Sequence, residues 1–132
     1  MIQLSRATHE GMIQRVRALR AQIAAVKREL AKLEELRPGS LSRQYTVCGS
    51  AGCRCKGTPA QKHGPYYHLS YTRKGKGGTR LIKRADVPAI RIDLANYARL
   101  RNLVDRWIDL ATQLSDLKRQ LRGAGDKPTK RA

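Results

Sequence analysis

Residues 37–85 read RPGSLSRQYTVCGSAGCRCKGTPAQKHGPYYHLSYTRKGKGGTRLIKRA, and they hold all three cysteines of the 132-residue chain. They also hold eleven Lys or Arg residues and no Asp or Glu. Cys48, Cys53 and Cys55 are followed by His63 and His68, giving five metal-ligand candidates within 21 residues. Around them, residues 41–47 read as a strand. Residues 66–73 and 79–84 read as two more, joined by the glycine-rich turn Lys74-Gly75-Lys76-Gly77-Gly78. The expected product is a three-stranded antiparallel sheet buttressed by a metal. Strand alternation puts Tyr67, Leu69, Tyr71 and Arg73 on one face, and Tyr66, His68, Ser70 and Thr72 on the other.

The ligand pattern is C-x4-C-x-C-x7-H-x4-H. Three thiolates and an imidazole make a familiar tetrahedral set for structural zinc, and Gly49, Gly52 and Gly57 let the backbone wrap closely around an ion. Cys48, Cys53, Cys55 and His63 are the expected ligands of a structural Zn2+. His63 is preferred because it lies in a loop, Gln-Lys-His-Gly-Pro, from which its ring can turn toward the cysteines. His68 falls mid-strand and is expected to face solvent or a partner. An iron–sulfur cluster with one His ligand, a metal shared between chains and a redox thiol are the other readings. A closed four-ligand site has no open coordination position, so the metal would hold structure and not catalyse.

The formal charge is +18, divided as +3 over residues 1–36, +11 over 37–85 and +4 over 86–132. A window of 49 residues without a carboxylate points to a polyanionic partner. Nucleic acid is the expected ligand, with DNA favoured over RNA. Phosphate contacts are expected from Arg73, Lys74 and Lys76 at the turn, and from Arg80, Lys83 and Arg84 on the return strand. Arg43 on the first strand, Arg54 and Lys56 beside the third cysteine, and Lys62 before His63 complete the set. A two-stranded ribbon can enter a major groove. Tyr66 could stack on exposed bases, as could Tyr67 and Tyr71, although core packing suits two of these three better. An assembly module docking an acidic protein partner is the alternative. Hydrolytic or transfer chemistry wants carboxylates near the site, so neither an enzyme nor a small-molecule substrate is expected.

Outward from this insert, each flank is a seamed helix. Met12, Val16, Leu19, Ile23, Val26, Leu30 and Leu33 step alternately by four and three, a heptad pattern. Pro38 and Gly39 end it. Ser5 or Thr8 could cap its start, and His9 reads as a polar residue on the seam. The second seam runs Val87, Ile90, Leu94, Tyr97, Leu100, Val104, Trp107, Ala111, Leu114, Leu117 and Leu121. Asp86 and Pro88 open this helix. The expected organisation is a coiled-coil helix over 1–37, a basic zinc-knuckle insert over 38–85, a second coiled-coil helix over 86–122 and a disordered basic tail over 123–132. The fold class is α+β, mainly α, with two long antiparallel helices and the metal knuckle at their tip. The thin core predicts a homodimer through the helices. No secretory signal and no apolar run of bilayer length is visible, and clustered, odd-numbered cysteines suit reduced thiols. A cytoplasmic protein without membrane contact is expected.

Ser42-Arg43-Gln44-Tyr45, Cys48-Gly49, Gly52-Cys53-Arg54-Cys55, His63-Gly64-Pro65-Tyr66-Tyr67, Ser70-Tyr71, Val87-Pro88 and Asn96-Tyr97 together resemble a small prokaryotic family of unknown function, over about residues 38–110. The resemblance implies an accessory protein of mobile-element and phage-rich neighbourhoods and brings no catalytic residues. Gly77-Gly78 departs from the family pattern and implies a flexible loop there.

Overall fold

The computed structural model describes residues 6–123. The expected Ser5 cap and the basic tail after Gly123 lie outside them. In chain order the elements are α1 (Arg6–Ala31), β1 (Ser40–Thr46), a 3-10 turn (Arg54–Lys56), β2 (His63–Arg73), β3 (Lys76–Ile82), a second 3-10 turn (Arg84–Asp86) and α2 (Val87–Gly123). Two helices thus flank a three-stranded antiparallel sheet in the order β1-β2-β3. The chain divides into two compact units, one running to Leu33 and resuming at Leu100, the other Glu34–Arg99.

In the helical unit, α1 and α2 run antiparallel. Lys27, late in α1, holds its ammonium 5.0 Å from the Trp107 ring, while the earlier Arg15 donates to the Gln113 side-chain oxygen at 3.3 Å. The heptad seam of α1 is the one the sequence marks, with Val16, Leu19, Ile23 and Val26 buried. On α2 the seam is shifted. Leu110 is buried, and Leu103, Trp107, Ala111, Leu114 and Leu117 pack around it, whereas Val104 is exposed. Leu103 and Val104 are adjacent, so either continues a three-four pattern from Leu100. Leu110 decides the phase, because 103, 107, 110, 114 and 117 form one heptad stripe. His9 is exposed, not a seam residue.

α1 also ends earlier than Pro38 alone would require. The Lys32 and Leu33 amides bond three residues back, to Glu29 and Leu30, which tightens the last turn. Beyond it the backbone finds partners in the other helix. The Arg37 amide donates to the Asp93 carbonyl at 3.2 Å, and the Asn96 amide group donates to the Glu35 carbonyl at 2.8 Å. Tertiary bonds replace helical ones over residues 34–37.

In the sheet unit, Leu69 is fully buried at the centre of β2, and Leu41, Tyr67, Tyr71 and Ile82 on the same face are half-buried. Val87 is buried at the start of α2, and Leu41 shares a groove with Arg91 and Leu94 of that helix. The β2–β3 turn is two residues, not five. Arg73 pairs with Lys76, and Lys74 and Gly75 between them take positive φ (53° and 76°), the mirror-image turn whose twist suits a hairpin. Gly77 and Gly78 are therefore strand residues and not a flexible loop. A Cβ on Gly78 would lie 2.6 Å from the Tyr71 hydroxyl, because that ring covers its cross-strand partner. Among the described residues no helix is long and apolar enough to cross a membrane.

Candidate metal centre and basic rim

Three short pieces of backbone deliver the ligand candidates. Cys48 follows β1 by two residues, Cys53 caps the first 3-10 turn, and Cys55 lies inside that turn, 1% exposed. The loop is tied by its own backbone, with Cys53 N bonded to Ser50 O (3.3 Å) and Gln61 N to Arg54 O (3.1 Å). His63 is the first residue of β2 and pairs with Thr46, so the sheet ladder aims its ring where a free loop was expected to. The register shifts between Gln44 and Thr46, where Gly64 and Pro65 of β2 oppose the single Tyr45, a bulge in β2 that sets His63 opposite Thr46. Gly64, next to His63, takes φ +132°, and a Cβ there would lie 2.7 Å from the Gln44 carbonyl oxygen. Only glycine fits that close approach.

The ligand atoms of Cys48, Cys53, Cys55 and His63 all lie within 4.8 Å of one another. The Cys48 and Cys55 sulfurs are 3.6 Å apart, and His63 Nε2 is 3.1 Å from the Cys53 sulfur. Two sulfurs each about 2.3 Å from a tetrahedral ion are separated by about 3.8 Å, so the Cys48–Cys55 edge already has metal-site dimensions. His68 sits mid-strand between Ser42 and Leu81, away from this cluster.

The cysteines differ electrostatically. The Ser50 backbone N–H, then the His63, Cys53 and Cys55 side chains, lower the Cys48 thiol to about 6. The Cys48 N–H donates to the Cys55 sulfur at 3.3 Å and favours its thiolate. Burial and the neighbouring Cys53 and Cys48 sulfurs outweigh that bond and raise the Cys55 thiol. The arrangement offers one ready thiolate and one thiol that a cation must deprotonate.

The expected phosphate contacts fall into distinct groups. Arg43 opposite Tyr67, Arg80 opposite Leu69, and the Arg73–Lys76 pair all belong to the Leu69 face, yet every one of their side chains is exposed. Arg80 leans on Tyr71, its Nε 3.4 Å from the hydroxyl. Lys74 occupies the turn, Arg54 and Lys56 the 3-10 turn, Lys62 the approach to β2, and Lys83 and Arg84 the exit from β3. Tyr66 lies on the opposite face, 40% exposed, apart from those strand arginines. A five-residue turn would pair Arg73 with Thr79 and put Arg80 opposite Thr72, on the Tyr66 face. The observed two-residue turn instead brings Thr79 and Leu81 to the Tyr66 face. Positive φ at Lys74, unusual outside glycine, hid that register from the sequence.

Residues 16–92, more than half of the chain, match a domain of unknown function (DUF6788). No curated protein and no solved structure matches the chain.

Proposed function

The chain belongs to the DUF6788 family of unknown function, and from its own residues we propose that it is a non-catalytic nucleic-acid-binding protein. Its sheet unit carries a structural Zn2+ on Cys48, Cys53, Cys55 and His63, and its helices pair two copies into a homodimer. The observation that carries this reading is a folded, acid-free basic surface. Eleven cations and no carboxylate lie between Arg37 and Ala85, and the strand and turn cations are exposed. A sheet unit of this size buries few large side chains, so self-repulsion among those cations must be relieved from outside, and phosphates do so. The ligand set favours zinc, since three soft thiolates and one imidazole select it over hard-oxygen cations. With no carboxylate at the centre, the metal has a structural role and DNA is the ligand.

The test is the triple replacement of Arg73, Lys74 and Lys76 by Ala in the zinc-loaded full chain. Binding to labelled DNA should weaken, and the slope of log K against log salt should flatten by about 2–3 units. Unchanged affinity and slope would reject the hairpin's role.

A further inference from the structure

The solvent face of the sheet carries no Lys, Arg, Asp or Glu, in a segment where eleven of 49 residues are basic. Two rows cross all three strands in register there: Ser40, Ser70 and Thr79, then Ser42, His68 and Leu81. Tyr66 stands beside them at 40% exposure, and Leu81 is 65% exposed. Ser40, Ser70, Thr72 and Thr79 line a shallow depression of about 440 Å³. An exposed antiparallel face is usually polar and charged; this one offers hydroxyls, the Gln44 carboxamide, an imidazole, a phenol ring and one leucine. The cations stand at its ends: Lys62 ahead of β2, Lys74 at the turn and Lys83 beyond β3.

A duplex laid on this face would meet cations only at its rim, and its base faces would already be stacked. Unpaired bases are the opposite case. They present π-faces to Tyr66 and His68, apolar surface to Leu81, and donors and acceptors that hydroxyls satisfy without choosing one base, while their phosphates turn outward to the rim. Resting on the nucleic-acid reading above, we infer that the solvent face of the sheet binds the unpaired bases of a single strand, with Tyr66 as the stacking platform.

Zinc-loaded full-length protein is titrated by fluorescence anisotropy with oligo-dT, oligo-U and a duplex, each longer than a site of roughly 4–16 nucleotides. The single strands should bind more tightly than the duplex. Tyr66→Ala should weaken single-strand binding by about 5- to 150-fold with an unchanged salt slope, and Tyr66→Phe should retain it. Leu81→Lys should also weaken it, although it adds a positive charge. Comparable oligo-dT and oligo-U affinities support a base-stacking face, and a preference for either names the strand as DNA or RNA. Equal or tighter duplex binding overturns the inference and leaves nucleic-acid binding standing. So does a folded, zinc-replete Tyr66→Ala protein that binds single strands normally, or a Leu81→Lys protein that binds them more tightly. Failure to bind all three probes sinks the nucleic-acid reading itself.

Discussion

Cys48 and Cys55 have sulfurs 3.6 Å apart and shift in opposite directions. In metal-free, reduced protein, alkylation of Cys48 should therefore rise through a pH of about 6, while Cys55 reacts only above the ordinary thiol value of 9.0. Peptide mass spectrometry across pH reads both profiles, and a Cys48 inflection near 9.0 would contradict this geometry. The stability sign follows. A thiol lowered on folding contributes stability that is fully present above 9.0 and is lost as pH falls through about 6, so for Cys48 acid weakens the metal-free sheet unit. Cys55 acts oppositely, losing its contribution as pH rises beyond 9.0. At this scale the sequence was informative about identity: three thiols in eight residues and a following imidazole mark a ligand set whatever the backbone does. It put Val104 on the α2 seam in place of Leu103 and Leu110, because two overlapping three-four patterns are equally good on paper and only contact with α1 chooses between them.

The sheet and the metal centre are one element in energetic terms, since His63 is both a ligand candidate and the last rung of the β1–β2 ladder. Chelation, or Cys53→Ser, should lower the stability of residues 34–99 by at most about 4 kcal/mol at free zinc about 1,000 times Kd, less whatever affinity the unfolded chain keeps. Amide hydrogen exchange should report it, with protection lost first around Thr46 and His63 while the α1 seam keeps its own. Uniform loss in both units, or none, would refute the assignment. Strand positions were legible from alternation and turn chemistry to within a few residues. The bulge at Gly64-Pro65 and the two-residue turn were not, because each depends on a backbone conformation that the residue types permit without demanding.

For the molecule as a whole, the helical unit has few fully buried residues, and α2 leaves Val104 and Ile108 exposed one turn apart, Ile108 at 56%. Sedimentation equilibrium should give twice the chain mass, and Ile108→Glu should return it to one. A chain mass for the native protein at tens of micromolar would end the dimer proposal. Because each chain carries +18, added salt should strengthen that association while it weakens nucleic-acid binding, so the two are separable in one titration. The α1 seam was readable from its heptads and the antiparallel sense from the compact insert between the helices, whereas the α2 seam was read through Val104 and lies on Leu103 and Leu110. The early end of α1 was not, since it depends on Asp93 and Asn96, some 60 residues downstream. The four ligand candidates, by contrast, are close in the chain as well as in space. Intervals of four, one and seven residues make loop closure around an ion entropically slight. Two consequences follow for folding order. All four are synthesised before residue 64, so a metal can be captured while α2, which begins at Val87, does not yet exist. The same short loops would let the unfolded chain retain part of any metal affinity, so a bound ion would organise the knuckle early and stabilise the finished fold by less than its full binding free energy.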